Sequence, residues 1–335
     1  MLNDSSAGVP HSAPLDRWVS AHVFTGHPLD LVLRRLVPAA VAELRQRGLA
    51  DRYFFLRHWQ GGPHLRLRVR LTTPAAETDV RAALDAHAEA LFRELPASPR
   101  MSAHQYESLA RELAAREPES EPGVLAPPDS LVFHDYRPEH GKYGYGTTLR
   151  AVEDAFATCS ELALDAALAE WSPARRTAHC FALLTGTLDA ATPPAGPTPT
   201  PDVLVQYGSR RAALLTVARA ARAASQADSG TDPVSRWLAA CRGVQRQAGL
   251  PSSPVGHLTH LACNRLGIRL GQEATLRGLA LLAVRELASD DRERRPSKGC
   301  GEEAAPGTAA KPGLRDPNAP SSSPDQHRST KERLR

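Results

Sequence analysis

The segment that most constrains the fold of this chain runs from His64 to Leu71, where basic and apolar side chains alternate without a break. A period of two residues is typical of a β-strand with two unlike faces. One face carries Leu65, Leu67, Val69 and Leu71, and the other carries His64, Arg66, Arg68 and Arg70. An aromatic run, Tyr53 to Trp59, precedes this segment across a Gly- and Pro-rich turn, so the two segments predict a β-hairpin.

The remaining patterns predict an α+β fold, in which an antiparallel sheet has flanking helices and the second half of the chain is mostly helical. We expect two more strands, at 18–24 and 130–136. The stretch 96–127 is irregular, although 105–116 is compatible with a helix. Apolar spacing typical of helices recurs at 29–47, 79–95, 149–164, 164–190, 202–224, 234–247, 254–266 and 272–287.

The chain is expected to divide into three parts. Residues 1–15 predict a flexible N-terminus, and 289–335, rich in Pro, Ser, Gly and charge, predict a disordered tail. Residues 16–288 form the folded domain between them. That domain comprises a mixed α/β part at 16–190, a Pro-rich linker at 192–201 and a helical part at 202–288.

The charge balance argues against a general nucleic-acid surface. The chain has 41 Lys and Arg against 37 Asp and Glu, and the stretch from Ser289 onward holds ten and eight of them. The rest therefore carries 31 basic and 29 acidic residues and is nearly neutral. We expect no direct contact with nucleic acid, but a local basic pocket is compatible with this balance.

Membrane and disulfide signals are missing from the sequence. No apolar run reaches the roughly 18 residues of a membrane helix, and the first residues lack the segments of a signal peptide. The five cysteines are scattered, without a Cys-x-x-Cys pair. We therefore expect a cytoplasmic protein with no membrane contact and no disulfide framework.

The basic face of the predicted strand is a candidate anion site. Three arginines and one histidine at alternate positions would repel one another if they were buried together without an anion. Arginine suits carboxylates because its planar fork binds both oxygens. The alternative is a solvated outer face of an antiparallel sheet, and the pattern alone does not decide between them.

Two further segments carry candidate chemistry. The loop from Tyr136 to Gly146 contains three glycines, which would let the backbone approach a ligand, but it has no nucleotide-binding fingerprint and fits an ordinary loop as well. On a predicted helix, His257, His260 and Asn264 share one face. A zinc site there would need Cys263, which is rotated off that face, and a fourth ligand, so we predict no metal; a histidine serving the core is the alternative.

Taken in chain order, several blocks resemble a known family. They are Trp18, YFFLRHWQGGPHLRLRVRL, YRPEHGKYG followed by EDAFATCSELAL, and GHLTHLACNRLG. Together they resemble the lantibiotic dehydratase C-terminal family, also called the thiopeptide-type bacteriocin biosynthesis domain. The resemblance covers roughly 18–287 and implies the glutamate-elimination domain of nisin-type dehydratases, here standing alone.

The resemblance implies a lyase reaction without a cofactor. A partner protein uses glutamyl-tRNA to glutamylate Ser or Thr of a ribosomally made precursor peptide. This domain then expels glutamate and leaves dehydroalanine or dehydrobutyrine. A base must remove the α-proton, and the leaving glutamate needs cations; a histidine suits the proton transfer.

The family motifs assign roles to individual residues. The PHxRxR pattern falls on Pro63, His64, Arg66 and Arg68, and its two arginines bind the glutamyl group. The ExxRYGG pattern falls on Glu139, Lys142, Tyr143 and Gly144, and HMxxNRL falls on His260, Leu261, Asn264, Arg265 and Leu266. The resemblance thus implies catalysis by His260, Arg66 and Arg68. Substrate binding is assigned to His64, Glu139, Lys142, Tyr143, Asn264 and Arg265.

The sequence departs from the family pattern at three positions. Lys142 replaces an arginine, Tyr145 replaces the second glycine, and Cys159 stands before Ser160 where an acid is usual. Two alternatives to elimination therefore stay open. One is a thiopeptide pyridine synthase, which joins two dehydroalanines in a formal [4+2] cycloaddition, and the other is a non-catalytic scaffold that binds the leader of the precursor.

The elimination hypothesis makes a geometric prediction. Arg66 and Arg68 should point toward His260 in one cleft, with Glu139 and Lys142 at its rim. The retained arginines and histidine favour elimination over pyridine synthesis, while fold alone cannot separate the three functions.

Overall fold

Four antiparallel strands form one sheet in the computed structural model, which describes residues 17–115, 122–190, 198–227, 230–248 and 255–294. The strands are β1 (Trp18–Phe24), β2 (Ala50–His58), β3 (His64–Leu71) and β4 (Ser130–Asp135). Their order across the sheet is β2-β3-β1-β4. The predicted hairpin is the β2–β3 pair, in which His58 lies opposite His64. The α+β fold class is confirmed.

Helices account for most of the remaining described chain. They are α1 (Leu29–Arg35), α2 (Val37–Gln46), α3 (Glu77–Glu94), α4 (Ala103–Ala114), α5 (His140–Tyr143), α6 (Gly146–Leu168), α7 (Pro173–Ala190), α8 (Pro201–Gln226), α9 (Pro233–Ala248), α10 (Val255–Arg265) and α11 (Leu270–Arg294). None of them, within the described ranges, is long and apolar enough to cross a membrane. The longer helices from α6 onward pack mainly on one another, as the predicted helical second half requires.

The two faces of the sheet have different neighbours. Leu65, Leu67 and Val69 are at most 1% exposed on the apolar face. Helix α2 lies against this face beside Tyr53 and Val69, and α3 places Arg81 over the ring of Phe133. The opposite face gathers the side chains that lie in register with the basic residues of β3, among them His22 of β1 and Phe54 of β2.

The predicted helix at 29–47 is wrong as a single element. The chain forms α1 and α2, which meet at Leu36. Pro38 lies in the first turn of α2, where its missing N–H needs no partner. The apolar stripe continues across the break, so its periodicity alone did not reveal the division.

Helix α11 continues to Arg294, beyond the end at 287 that the apolar spacing predicted for the last helix. Asp290 and Asp291 of this last part pair with Arg219 and Arg222 of α8, at 3.7 and 2.5 Å. A charged stretch that looks disordered by composition is therefore helical where α8 supplies opposite charges. The predicted flexible segment 1–15, linker residues 192–197 and tail from 295 onward lie outside the described residues.

The outer edge of β2 is covered by side chains rather than by another strand. Asn264 of α10 forms two hydrogen bonds with the backbone of Arg57. Its Oδ1 accepts a hydrogen bond from the Arg57 N–H at 3.0 Å, and its Nδ2 donates one to the Arg57 carbonyl at 2.9 Å. Two residues back, the Phe55 N–H donates to Ser160 Oγ of α6 at 3.1 Å. These bonds satisfy an edge that would otherwise expose unpaired backbone groups.

The end of α10 is fixed against the same strand. Gly267, with φ of 80°, closes the helix, and the Ile268 N–H bonds to the Cys263 carbonyl at 3.0 Å in a Schellman arrangement. Arg57 Nε donates to the Arg265 carbonyl at 3.0 Å. The helix is thereby held in one register beside β2.

The edge pairing predicts that Asn264→Ala destabilises the fold by roughly 1–3 kcal/mol, because both backbone groups of Arg57 lose their partner. Asn264→Asp should also destabilise, since a carboxylate cannot donate to the Arg57 carbonyl. Urea unfolding measures both effects. Gln272→Ala, which removes an exposed bond to Thr177, is the control; equal stability of Asn264→Ala and wild type would contradict the pairing.

Candidate functional site

Arg66 is held by a histidine of defined tautomer. Its Nε donates to His64 Nε2 at 3.2 Å, and its Nη2 donates to Gln60 Oε1 at 2.9 Å. Since Nε2 accepts, the proton of His64 resides on Nδ1, which donates to the Gly62 carbonyl at 2.9 Å. His64 is 0% exposed. It therefore lies behind Arg66 and orients it, and does not present a surface to a substrate.

Four histidines cluster on this face of the sheet. The rings of His22 and His64 are 5.0 Å apart, those of His22 and His134 4.3 Å, and those of His58 and His64 5.4 Å. Burial, reinforced by Arg66, lowers the pKa of His22 and His58 to about 2 and that of His64 to about 4. These three rings are neutral at pH 7 and add no charge beside the arginines.

The cluster is not arranged as a metal centre. In the part of the chain that the structure describes, no group of three or more His, Cys, Asp or Glu side chains is placed to hold a metal ion. The His58 ring uses Nδ1 to accept the N–H groups of Trp59 and Gln60, at 2.9 and 3.1 Å. His58 thus stabilises the hairpin turn, and His64 orients Arg66.

Arg68 is a partly buried cation set among aromatic rings. Its guanidinium carbon lies 5.4 Å from the ring centre of Phe54 and 5.0 Å from that of Tyr136. Its Nε is buried and has no hydrogen-bond partner in the described structure. The neighbouring carboxylates are already engaged, because Glu153 accepts the Tyr136 hydroxyl at 2.8 Å and Glu139 pairs with Lys142 at 3.5 Å.

Arg265 is a second cation with unmet hydrogen-bonding capacity. It is 0% exposed, and its Nε donates to Ser160 Oγ at 3.1 Å. Both Nη atoms lack a partner among the described residues. Burial lowers the pKa of Arg265 to about 10, so it stays charged at neutral pH. Cys159, where the family has an acid, is its neighbour and offers only a weakly polar thiol.

Tyr143 is near both of these arginines. It is 7% exposed, packs edge-on against Phe156 at 5.3 Å, and its phenol is near both Arg68 and Arg265. Burial raises the pKa of Tyr143, which keeps the hydroxyl protonated. Buried guanidinium N–H groups without an acceptor are costly, so this region is suited to an anion.

The loop after β4 forms the border of this region. Lys142 and Glu139 are exposed over 33% and 58% of their side chains, as rim residues would be. Gly144, with φ of 75°, ends α5, and Tyr145 follows it with its ring stacked 4.3 Å from that of His140. Tyr145, at the position where the family motif predicts a second glycine, therefore adds a largely exposed aromatic ring to this border.

His260 is oriented by a carboxylate that the sequence analysis missed. Its Nδ1 lies 2.7 Å from Glu273 Oε2, and Glu273, 8% exposed, also pairs with Arg277 at 3.0 Å. A carboxylate on Nδ1 favours the tautomer that leaves the Nε2 lone pair available as a base. Glu273 lies on α11, 13 residues after His260, so no helical spacing linked the two in the sequence.

Two other residues have structural partners. Both polar groups of the Asn264 amide bond to Arg57, so Asn264 positions α10 instead of offering its amide to a substrate. Arg70 pairs through two nitrogens with Asp51, at 2.9 and 2.6 Å, so its charge is already matched by a carboxylate.

The described contacts thus bring together two groups of the predicted site residues. One group is His64 with Arg66; the other contains Arg68, Glu139, Lys142, Tyr143 and Arg265. His260 is on the helix that also carries Arg265. A meeting of His260 with Arg66 and Arg68 in one cleft stays a prediction.

The neutral histidines predict a loss of stability in mild acid. Below pH 6.5 the unfolded chain binds protons at His22, His58 and His64 that the folded state does not, so the free energy of unfolding falls as pH falls. The expected loss is roughly 4 kcal/mol between pH 7 and 5.5. Urea unfolding at several pH values should show a shallower slope for His22→Gln than for wild type. The same slope in His22→Gln as in a variant of exposed His104 would contradict this account.

Comparisons with known proteins agree with the fold. The model of the lantibiotic biosynthesis dehydratase C-terminal family matches residues 18–284. No curated protein matches the chain. Among solved structures, the chain is similar to the pyridine synthase TbtD from thiomuracin biosynthesis, with 22% identity and a TM-score of 0.65 over 82% of this chain and 100% of that one.

Two other solved structures share the fold. The tRNA-dependent lantibiotic dehydratase MibB from Microbispora sp. 107891 is 23% identical, with a TM-score of 0.54 over 85% of this chain; the chain spans 29% of the length of MibB. TsrL is 17% identical, with a TM-score of 0.54 over 82% of this chain and 96% of that one. Because the family model matches well over half of the sequence, this chain belongs to the lantibiotic biosynthesis dehydratase C-terminal family.

Proposed function

We propose that this protein acts on a ribosomally made precursor peptide and eliminates glutamate from its glutamylated Ser or Thr residues. The observation that carries the proposal is that Arg68 Nε and both Nη atoms of Arg265 are buried and have no hydrogen-bond partner among the described residues. Such groups call for an anionic ligand. A glutamyl group supplies carboxylate oxygens, which guanidinium groups bind in pairs.

The proposed reaction divides the work between a base and the cations. His260 Nε2 removes the α-proton of the modified residue, and the electrons of that C–H bond form the Cα=Cβ double bond. The bond from Cβ to the ester oxygen breaks, and glutamate leaves as a carboxylate with the electron pair of that bond. The product is dehydroalanine from Ser or dehydrobutyrine from Thr.

The cations act where negative charge develops. Arg66 and Arg68 are proposed to bind the leaving glutamate, and Arg265, near Tyr143, adds a buried positive charge. His64 positions Arg66, and Glu273 positions His260, each through a hydrogen bond. Fixed donors of this kind stabilise a developing anion without having to reorient during the reaction.

The exposed pair of Lys142 and Glu139 is proposed to contact the peptide at the border of the site. Lysine keeps the positive charge of the arginine usual in the family but cannot make a two-pronged contact. The proposal also implies a partner that glutamylates the precursor from glutamyl-tRNA. MibB, a tRNA-dependent dehydratase, is the comparison that supports such a partner.

Pyridine synthesis is the second candidate function. It is favoured by the similarity to TbtD, which has the highest of the three TM-scores and is covered over its whole length. That reaction joins two dehydroalanines and has no glutamate to bind. The unsatisfied N–H groups of Arg68 and Arg265 therefore support elimination more than cycloaddition.

Mass spectrometry on a glutamylated precursor peptide separates these functions. Discrete losses of glutamate, each leaving a dehydrated residue, support elimination. A macrocycle formed from a peptide that already contains dehydroalanines, with release of the leader, supports pyridine synthesis. Tight binding of the leader without any reaction supports a scaffold.

In the same assay, His260→Ala should leave glutamylated peptide to accumulate, with a rate roughly 10²- to 10⁴-fold lower. Glu273→Gln should lower kcat more than it changes KM, because it misorients the base without touching the substrate, and Glu273→Asp should restore part of the rate. Glu286→Gln, on the same helix but paired with Arg211, is the control. Full activity of His260→Ala would exclude its role as the base.

Replacing Arg68 by Lys should lower kcat/KM for glutamylated peptide by roughly 10- to 100-fold, because the two-pronged contact with a carboxylate is lost. Arg70→Lys is a matched control on the same face of the same strand, and it should leave the rate unchanged because Arg70 pairs with Asp51. Steady-state kinetics compare the two variants. An equal loss in both would mean that the effect comes from the strand and not from the anion site.

A further inference from the structure

A mostly apolar cavity lies at the turn end of the β2–β3 hairpin. Its volume is about 340 Å³. Its walls come from the end of β1, the hairpin turn, the segment before α4 and the segment before β4. Its lining includes Phe24, Pro63, Arg100, Gln105, Leu125 and Ala126.

Hydrogen bonds hold the walls of this cavity in place. Asp129 accepts the Thr25 hydroxyl at 2.8 Å and the Ser98 N–H at 2.9 Å, which joins the end of β1 to the segment before α4. Across the hairpin turn, the Gly61 N–H donates to the Tyr106 hydroxyl at 2.7 Å, and the Ala126 N–H donates to the Gly61 carbonyl at 2.8 Å. The walls of the cavity are therefore held in place by hydrogen bonds between the segments that form them.

The two glycines of the turn are required for this close approach. Gly61 and Gly62 have φ of 79° and 110°, which side chains other than glycine rarely adopt. A Cβ on Gly61 would lie 3.1 Å from the Val124 carbonyl oxygen, and one on Gly62 would lie 3.0 Å from Leu125 Cδ1. The glycines thus let the wall that carries Leu125 pack onto the hairpin.

The size and lining of the cavity indicate its ligand. Ligand pockets commonly have volumes from about 300 Å³ upward, and an apolar cavity of about 150 Å³ already admits benzene. The polar side chains of Arg100 and Gln105 are exposed, whereas Phe24 is 7% exposed. The cavity therefore suits one large apolar side chain that enters from a polar mouth.

The cavity is connected to the proposed glutamate site through one ring. Phe24 lines the cavity and lies 4.4 Å from the ring of His64, which in turn accepts a hydrogen bond from Arg66. Pro63, another lining residue, precedes Arg66 by three residues on an extended strand, a distance of about 10 Å. An extended peptide covers the same distance in about three residues.

We propose that this cavity binds an apolar side chain of the precursor peptide, about three residues away from the glutamylated Ser or Thr. The inference rests on the proposed function, because it needs the modified residue at Arg66 and Arg68. It adds a sequence requirement that the charged site cannot impose. The side chain bound in the cavity fixes which Ser or Thr of a peptide reaches the arginines.

Synthetic peptides test the proposal. The probes are 11-residue peptides with one central glutamylated Ser in an Ala and Gly background, in which a single Leu is moved through all other positions. Fluorescence anisotropy should show binding roughly tenfold tighter or more when Leu is about three residues from the Ser, on one side only. Equal affinity at every Leu position would overturn the proposal.

Two variants assign that preference to the cavity. Ala126→Trp, which fills the cavity, should abolish the advantage of the favoured Leu position, and Leu125→Ala should shift the preference toward Phe or Trp. Glu107→Trp, on the exposed side of α4, is the matched control and should keep the preference for Leu. Thermal denaturation verifies that each variant is folded, and an unaltered preference in both cavity variants would also overturn the proposal.

The binding experiment separates this inference from the proposed function. A position-dependent Leu preference without loss of glutamate would support the cavity and contradict elimination. Loss of glutamate without any Leu preference would support elimination and contradict the cavity.

Discussion

The pairing of Asn264 with the backbone of Arg57 is the interaction on which the rest of the structure depends. It replaces the missing neighbour of an edge strand with one side chain from the helical half. Since α10 is held in register by this pairing, the next residue, Arg265, is buried against Ser160 and near Tyr143. The pairing at the edge of β2 therefore fixes the position of the α10 side chains relative to the sheet.

The arginines of this protein fall into two groups that differ in whether a carboxylate pairs with them. Arg57, Arg70 and Arg176 have carboxylate partners in Asp30 and Asp51. Arg68 and Arg265 instead lie beside aromatic rings, a hydroxyl and a thiol, and some of their buried N–H groups have no acceptor in the part of the chain that the structure describes. The neighbouring histidines are kept neutral by burial. This contrast within one chain is what makes a ligand, and not a protein side chain, the expected partner of the second group.

The sheet was predictable because strict alternation in β3 permits only one pair of faces, and the Gly-Gly turn permits only a hairpin. The two helices in place of one at 29–47, and the helix beyond Ser289, were not predictable in the same way. At Leu36 the apolar period does not change, and at Asp290 the stabilising charges come from α8, far away in the chain. Local patterns carry no information on such partners.

The candidate site, like the fold, was predictable from local motifs but not in its contacts between distant segments. The family motifs located His260, the two arginines of β3 and the loop with Lys142. They could not show that His64 and Asn264 use their polar atoms inside the protein, or that Glu273 lies behind His260, because these are contacts between distant segments. The sequence could not show what surrounds Cys159; in the structure its thiol is a neighbour of the buried guanidinium of Arg265.

The fixed register of α10 has a consequence for how this site can vary. His260, Asn264 and Arg265 lie within one and a half turns, and the middle one is anchored to β2. One residue inserted between His260 and Asn264 would turn the histidine by about 100° around the helix axis and move it away from Glu273. The four-residue interval between His260 and Asn264 therefore has to be kept. Because β2 fixes the position of Asn264, only this spacing directs the imidazole of His260 toward Glu273.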